Sequence, residues 1–296
     1  MRILTEASGS LVASYLINAI RDAGYEAVGS DIDTLNPGFC LADDFVALPH
    51  KNDPGLWNAI EKALLNKKIN VVIPSFDETM VGWAERREYF ARLGVFIVVS
   101  PLETVRICQD KWETYRFFTD AGVPCPRTSL EQNYPLVKPR LGRGAEGVCI
   151  PDGPVSMEGM ISQEIAQGEE YTVDTFFDRE GKPVYIVPRK RIGVQNGKST
   201  RGIVCRHDGI EHYIRMMARI ARFSGPVNFQ CFIEGETLSF IEINPRIAGG
   251  MALGFAATEN WVRLIVNNLI LGRPINPKPV RYGLKMVRYY AECFIP

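Results

Sequence analysis

The chain has 296 residues, of which 46% are hydrophobic and 23% charged, and its 34 basic residues balance its 34 acidic ones. This length can form two or three packed units, and the neutral charge gives no reason to expect nucleic acid or a membrane surface as a partner. No apolar run approaches the roughly 20 residues of a membrane helix, and residues 1–6 turn acidic too early for a signal peptide. The 7 cysteines are scattered without a CxxC pair, which favours free thiols in a reducing cytoplasm.

Strand-like and helix-like segments alternate over the first third of the chain. Short apolar strands, separated by helices, are expected at residues 2–4, 27–30, 45–48, 71–73 and 95–99. This rhythm predicts a doubly wound parallel sheet, which binds ligands at the carboxyl ends of its strands. The turn at 5–10 contains a single glycine, so the fingerprint of a dinucleotide-dependent oxidoreductase is missing. Asp77 follows the fourth strand and is expected to cap the next helix, with a contact to substrate as the alternative.

A glycine-rich loop follows the strand-like residues 135–138. Residues 140–147 contain Arg140 and Arg143 together with three glycines, Gly142, Gly144 and Gly147. Glycines free backbone N–H groups to cradle phosphate oxygens, and the loop leads into a second expected strand at 148–150, whereas a Walker loop leads into a helix. The sequence therefore favours a phosphate-binding loop entered by Lys138, with an ordinary hairpin tip as the alternative.

A basic stretch lies in the middle of the second half. Residues 188–191 read Pro-Arg-Lys-Arg, and residues 198–202 carry further basic side chains. Runs of like charge usually form a solvated face, and that is the expectation for this stretch from its composition.

A predicted hairpin carries a polar face that suits a metal ion. Residues 227–233 and 238–244 read as two strands, and a turn near Glu236 places Gln230 opposite Glu242 and Asn228 opposite Asn244. The opposite face then collects Phe229, Cys231, Ile241 and Ile243. Oxygen atoms of this kind are ligands for a hard cation such as Mg²⁺, and Arg246 follows where a bridging phosphoryl group could meet it. A polar face turned toward water is the alternative.

Taken together, these stretches resemble the ATP-grasp superfamily, in the branch of the carbamoyl phosphate synthetase large subunit. The resemblance covers most of the chain in order. It rests on five segments: Asp110-Lys111, residues 136–147, Gln163-Glu164 with 168–170, residues 227–230, and Glu242-Ile243-Asn244-Pro245-Arg246. It implies a leading α/β domain at 1–104, a small grasp subdomain with the glycine loop at 105–165, and a C-terminal grasp subdomain with the metal site at 166–296.

The resemblance also implies a role for each matching residue. Those expected to bind ATP are Lys111, Lys138, Gly142, Gly144, Gly147, Gln163, Glu164, Ala166 and Glu170. Within this set the loop 140–147 is a lid, Glu164 and Ala166 meet the adenine edge, and Glu170 takes the ribose hydroxyls. The Mg²⁺ ligands, with Mn²⁺ as an alternative ion, are Gln230, Glu242 and Asn244. Arg246 and Arg189 are expected to hold the acyl phosphate or the substrate carboxylate.

The implied activity is an ATP-dependent ligase, in which a carboxylate becomes an acyl phosphate and an amine then displaces phosphate. One alternative is a phosphotransferase with no amine acceptor, and another is a catalytically silent ATP-binding regulatory subunit. The chain is much shorter than a carbamoyl phosphate synthetase large subunit, so carbamoyl phosphate is not the expected product. The expected partners are small carboxylates and amines in the cytoplasm, with a homodimer as the default assembly. The sequence does not identify either substrate.

Overall fold

The leading part of the chain is a parallel sheet flanked by helices. In this computed structural model, which describes residues 1–144, 146–195, 198–289 and 291–295, the five strands have the order β3-β2-β1-β4-β5. The strands are β1 (Arg2–Thr5), β2 (Glu26–Asp31), β3 (Asp44–Ala47), β4 (Val71–Ile73) and β5 (Phe96–Ile97). The helices are α1 (Ala13–Asp22), α2 (Pro37–Leu41), α3 (Leu56–Asn66) and α4 (Met80–Arg92), the last preceded by a 3₁₀ turn at Asp77–Thr79.

This arrangement confirms the doubly wound sheet expected from the sequence. The central strands β1 and β4 are apolar because both their faces are covered, and Ile3, Leu4, Val71 and Val72 are buried. Strand order reverses between β1 and β4, so the loops that follow these two strands open a crevice at the carboxyl edge. The segments 5–10 and 74–77 therefore sit where such a sheet binds ligands.

A small antiparallel sheet follows two short helices. The helices are α5 (Leu102–Gln109) and α6 (Lys111–Asp120), and the sheet has the order β6-β8-β7, with strands β6 (Thr128–Ser129), β7 (Leu136–Pro139) and β8 (Met160–Gln163). The expected strand at 148–150 is wrong, since Cys149 forms only an isolated bridge to Val137. Residues 148–150 are exposed, so no burial of side chains holds them in a longer ladder.

The rest of the chain builds a six-stranded antiparallel sheet with the order β13-β12-β9-β10-β11-β14. Its strands are β9 (Glu169–Phe177), β10 (Pro183–Gln195), β11 (Lys198–Val204), β12 (Gly225–Glu234), β13 (Thr237–Asn244) and β14 (Lys285–Val287). The helices are α7 (Asp208–Ile220), α8 (Ala252–Ala257) and α9 (Trp261–Leu264), which continues as a π-helix over Ile265–Ile270. Among the described residues, no helix is long and apolar enough to cross a membrane.

Two apolar cores fix this sheet against its neighbours. One face packs on α5, α6 and α7 through residues such as Phe118, Ile214 and Phe229. The other face joins a core that contains Leu16 of α1 together with Phe176 and Trp261. Helix α1 packs on the leading sheet, so this second core joins the leading sheet to the six-stranded sheet. The crevice between β1 and β4 therefore lies beside the six-stranded sheet.

Glu6 brings a carboxyl group into the interior of the leading domain, directly after β1. The side chain is only 6% exposed and accepts hydrogen bonds from Trp83 Nε1 at 2.8 Å and from the Thr79 hydroxyl at 3.0 Å. Burial raises the pKa of Glu6 to about 7, although these hydrogen bonds favour the charged form. The folded protein therefore binds this proton more tightly than the unfolded chain does.

Glu6 should make the protein less stable as the pH rises. Its contribution to the free energy of unfolding is fully present below the unfolded pKa of 4.5 and is lost as the pH rises through about 7. We expect a loss of about 2 to 3 kcal/mol between pH 5 and pH 8 that Glu6→Gln, which cannot ionise, does not show. Urea unfolding at both pH values measures this difference, with the exposed Glu88→Gln as control. Parallel pH profiles for parent and Glu6→Gln would contradict the assignment.

Candidate functional site

A pocket of about 590 Å³ lies among the glycine loop, the small sheet, the six-stranded sheet and the crevice of the leading domain. It gathers side chains from segments far apart in the sequence. The expected site residues that line it are Lys111, Lys138, Gly142, Gly144, Gln163, Glu164, Ala166, Glu170, Arg189, Gln230, Glu242, Asn244 and Arg246. Gly147 belongs to the expected set but does not line the pocket.

Lys138 on β7 places an ammonium group inside the pocket wall. The residue is 7% exposed, and its Nζ donates to Gln163 Oε1 on β8 at 2.7 Å, while the Gln163 amide donates to the Thr128 hydroxyl at 2.8 Å. Burial lowers the pKa of Lys138 to about 8, with Glu242 acting in the opposite direction and Lys111 adding to the depression. An anion bound beside Lys138 would favour its charged form.

The first residues of the glycine loop are held against the start of α6. Lys111 Nζ donates to Gly142 O at 2.8 Å, and Arg140 pairs with Asp110 through two hydrogen bonds of 3.1 and 2.5 Å. Arg140 therefore anchors the loop to the start of α6 and is not among the pocket-lining side chains. Arg143 lies farther along the loop, where it pairs with Glu78 at 3.1 Å and stacks 4.8 Å from the Phe76 ring centroid.

The three loop glycines have positive φ angles, which are 122°, 67° and 71° for Gly142, Gly144 and Gly147. A Cβ on Gly147 would lie 2.9 Å from Pro139 Cγ, so this glycine serves the close approach of the loop to β7. That contact explains its position outside the pocket. Ala145 lies outside the described residues.

Residues 163–166 form one edge of the pocket. The Glu164 carboxylate accepts from the Arg127 backbone N–H at 2.9 Å and from Arg127 Nε at 2.7 Å. The Glu164 N–H in turn donates to Arg127 O at 3.0 Å. The side chain of Glu164 thus ties the end of β8 to the residue before β6. Ile165 and Ala166 continue the pocket wall.

Glu170 on β9 is a half-buried carboxylate that pairs with Arg191 on β10. Burial raises the pKa of Glu170, and Arg191 opposes that shift. Arg191 itself lies along the same wall, so a carboxylate and a guanidinium lie side by side there.

The hairpin of β12 and β13 has the predicted register at its functional end. Gln230 lies opposite Glu242 and Asn228 opposite Asn244. The register then shifts between Gln230 and Cys231, so that Cys231 faces Phe240 and Ile241 is the extra residue of a β-bulge. The prediction that Ile241 shares the core face is therefore wrong, since Ile241 lines the pocket next to Glu242.

The hairpin supplies oxygen donors of the kind a hard cation prefers. The Asn244 Oδ1 accepts from Arg246 at 3.2 Å, and Gln230 and Glu242 line the pocket on the same strands. Among the described residues, no cluster of three His, Cys, Asp or Glu side chains could hold a metal by itself. A set with one carboxylate and two amides fits Mg²⁺ that takes its remaining ligands from water and phosphate oxygens.

Arg246 is bound by a carboxylate of the leading domain. Its Nε and a terminal nitrogen donate to the two oxygens of Asp77 at 2.7 and 2.5 Å, and both side chains are nearly buried. The prediction that Asp77 caps the following helix is wrong, because no side chain caps the 3₁₀ turn or α4. Asp77 instead forms a bidentate ion pair with Arg246, and this pair links the loop after β4 to the loop after β13.

Arg189 is buried and paired, so the prediction of a solvated cationic face is wrong for this residue. It is 1% exposed, and its guanidinium donates to Asp174 at 2.5 and 2.9 Å. Asn228 donates to the same carboxylate at 2.9 Å. A buried Arg is stable only with such a partner, and Asp174 on the neighbouring strand β9 supplies it.

Three contributors were missed by sequence reasoning. Asp174 is the buried partner of Arg189, Tyr15 of α1 donates to Ala248 O at 2.7 Å, and Arg288 lines the pocket just beyond β14. Asp174 sits in an alternating strand next to Tyr171 and Val173, which gave a weak signal. Neither Tyr15 nor Arg288 belongs to a sequence motif. Tyr15 lies 233 positions before its partner Ala248, and Arg288 lies 39 positions after its partner Gly249, so only the tertiary packing reveals these contacts.

The fold and part of the sequence match known proteins. Residues 156–291 match the family described as "ATP-grasp in the biosynthetic pathway with Ter operon". The chain is 22% identical over 309 residues to the carbamoyl phosphate synthase large chain of Clostridium acetobutylicum, with 90% of this chain but 28% of that protein covered. The chain therefore spans about 28% of the length of this curated relative.

Solved structures show the same architecture. N5-carboxyaminoimidazole synthetase from Staphylococcus aureus, complexed with ADP, matches with a TM-score of 0.74 and 16% identity, over 97% of this chain and 82% of that one. L-amino acid ligase from Bacillus licheniformis matches with a TM-score of 0.69 and 16% identity, over 94% and 75% of the two chains. The chain has the ATP-grasp fold.

The close packing around Asp174 predicts that a glycine-to-alanine substitution in α8 destabilises the protein, although such a substitution usually stabilises a helix. Alanine normally stabilises a helix by about 1 kcal/mol relative to glycine. In α8, however, a Cβ on Gly254 would lie 2.7 Å from Asp174 Oδ2 and 2.9 Å from Asp174 Cβ. We expect Gly254→Ala to lower the free energy of unfolding by about 1 to 3 kcal/mol, as overpacking does.

Urea unfolding measures this effect. Gly249→Ala is the control, because its Cβ would meet only Leu11 Cβ at 3.9 Å. A Gly254→Ala variant as stable as the parent would show that Asp174 and Arg189 can shift without loss.

Proposed function

We propose that this ATP-grasp protein is an ATP-dependent ligase that activates a carboxylate as an acyl phosphate and couples it to an amine, releasing ADP and phosphate. The observation that carries the proposal is that one pocket is lined by Lys111 and Lys138 together with Glu242, Asn244 and Arg246. The two lysines would bind a triphosphate, and Glu242 and Asn244 would bind a metal ion. The guanidinium of Arg246 would bind the substrate carboxylate. The names of the similar synthetase and ligase structures support the same reaction class.

One end of the pocket suits a nucleotide. Apolar side chains of Leu136, Ile165, Phe232 and Ile241 line it, as a purine ring requires. Glu170 is the proposed partner of the ribose hydroxyls, and the backbone of Glu164 and Ala166 the proposed contact of the adenine edge. The glycine loop is the proposed lid, because its positive-φ glycines permit the backbone to change course over the phosphates.

The metal site is proposed at Gln230, Glu242 and Asn244. Mg²⁺, or alternatively Mn²⁺, would neutralise charge on the phosphate oxygens when bound there. Glu242 supplies the negative charge, and the bulge at Ile241 orients it and Gln230 toward the same wall. The buried Lys138 lies close enough to Glu242 for the carboxylate to raise its pKa, which favours the ammonium form that phosphate needs.

The proposed chemistry needs position and charge, and no covalent nucleophile from the protein. An oxygen of the substrate carboxylate attacks the γ-phosphorus, the bond to the ADP oxygen breaks, and an acyl phosphate results. The amine nitrogen then attacks the acyl carbon, phosphate leaves, and the nitrogen loses a proton. Asp77 holds Arg246 in one orientation, so the guanidinium is pre-organised to face charge as it develops.

ADP release tests the proposal directly. Purified protein with ATP and Mg²⁺ is offered small carboxylic acids with and without candidate amines. Release that needs both substrates supports the ligase, whereas release with the carboxylate alone indicates a phosphotransferase. Tight ATP binding with no release under any pair would indicate a silent regulatory subunit. We further propose a cytoplasmic enzyme, in which residues 1–104, 105–165 and 166–296 are the three structural units.

Removal of a metal ligand should stop turnover without unfolding the protein. We expect Glu242→Gln and Asn244→Ala each to slow ATP turnover by about 10²-fold or more, because they remove oxygen donors at the phosphoryl-transfer centre. Glu236→Gln, in the exposed turn of the same hairpin, should retain parental activity. ADP release at saturating Mg²⁺ provides the measurement. If either site variant turns over ATP at the parental rate, the substituted residue is not a ligand of the catalytic metal.

Lys138 should contribute far more to nucleotide binding than Lys190 does. Lys138 is buried in the pocket wall. Lys190 is partly exposed, does not line the pocket and pairs with Glu169. A charge-assisted hydrogen bond in a buried site is worth roughly 1.5–3 kcal/mol, about ten- to a hundredfold in affinity, and an exposed one much less. Calorimetric titration of Lys138→Ala and Lys190→Ala with a non-hydrolysable ATP analogue compares them. Equal losses would contradict the buried phosphate contact.

A further inference from the structure

Three of the guanidinium groups that line the pocket lie around the loop that follows β13. They belong to Arg189, Arg246 and Arg288. Asp174 neutralises Arg189 and Asp77 neutralises Arg246, each through two hydrogen bonds. Two carboxylates therefore pair with two of these three guanidinium groups, and the third has no carboxylate in ion-pair contact among the described residues.

That third guanidinium belongs to Arg288. Its N–H donates to Thr200 O at 3.0 Å, which fixes the backbone beside β11, and its guanidinium donates to Gly249 O. Its Nε is buried and has no hydrogen-bond partner among the described residues, and no carboxylate of the described chain lies within ion-pair distance of it. Burial lowers the pKa of Arg288, Arg189 adds to that depression, and Tyr15 opposes it. An incompletely paired cation of this kind costs free energy until an anion arrives.

Arg288 and Arg246 contact different parts of the loop after β13, so they can bind different groups of a ligand. Arg246 follows Asn244 by two residues and donates to its Oδ1 at 3.2 Å, so it adjoins the proposed metal site. Arg288 instead contacts the backbone of Gly249, farther along the same loop. Small residues form this wall, with Ala248, Gly249 and Gly250 lining the pocket, so a compact group can reach the guanidinium.

We propose that Arg288 binds a second anionic group of the carboxylate substrate, so that the substrate is a small dianion. This inference rests on the proposed function, since it assigns the reacting carboxylate to the Arg246 end. The second group is a carboxylate or a phosphate-like group, both of which fit the planar fork of a guanidinium. A monocarboxylate would engage Arg246 and leave Arg288 without its anion.

Paired probes test this inference by binding, independently of turnover. The dicarboxylates from malonate to pimelate are each compared with the monocarboxylate of equal carbon number, and 3-phosphonopropionate is compared with butyrate. Calorimetry is performed on the full chain with Mg²⁺ and a non-hydrolysable ATP analogue. We expect at least one dianion to bind about tenfold or more tightly than its match. The dicarboxylate and phosphonate arms identify which anionic group is preferred.

Arg288→Gln should abolish that preference, and Arg288→Lys should restore part of it. Lys285→Gln removes a positive charge from the exposed end of β14 and is the matched control, expected to keep the preference. Circular dichroism and urea unfolding establish that the variants are folded. The inference is overturned if no dianion exceeds its match, or if the preference survives in Arg288→Gln.

The same titrations separate this inference from the proposed function. Repeating them without nucleotide tests the anion subsite alone, and titration of the ATP analogue alone tests the nucleotide site. Loss of nucleotide binding with a preserved, Arg288-dependent dianion preference would refute the ligase and keep the subsite. Normal nucleotide binding without any dianion preference would refute the subsite and keep the ligase.

Discussion

The ion pair between Arg246 and Asp77 is the contact on which the geometry of the pocket depends. Arg246 belongs to the loop after β13, and Asp77 to the loop after β4 of the leading sheet, so the pair joins two separate sheets at one point. Both groups are nearly buried, and loss of one partner from such a pair costs several kcal/mol because the other charge is left without compensation. The contact therefore holds the crevice of the leading domain against the strand that carries Glu242 and Asn244.

Charge is distributed unevenly along the pocket, and the pairing of each cation indicates what it can do. Arg189 and Arg246 are held by carboxylates, so they offer fixed hydrogen-bond donors with little freedom to move. Within the described ranges, the Lys138 ammonium donates to the neutral amide of Gln163, and burial depresses its pKa. Cations that are not hydrogen-bonded to a carboxylate gain most from an incoming anion, and Lys138 and Arg288 both line the pocket.

Small irregularities of the backbone shape the pocket. The bulge at Ile241 turns an apolar side chain into the pocket beside Glu242 and keeps Phe240 in the core. Gly254 leaves space for Asp174, and Gly250 leaves space for the terminal nitrogens of Arg189, where a Cβ would come within 2.8 Å. These two glycines leave room for a fully buried ion pair next to the cavity.

Local periodicity and spacing determined much of this protein from the sequence alone. Apolar strands of period two and turn residues gave the parallel leading sheet, the β12–β13 hairpin and the facing of Gln230 and Glu242, because side-chain alternation depends only on neighbouring residues. Tertiary structure decided which charges are paired. Asp77 looked like a helix cap and Arg189 like part of a solvated face, yet each meets a partner from a distant strand. Arg288 joined the pocket for the same reason: ion pairing and burial depend on packing between segments, which no local pattern records.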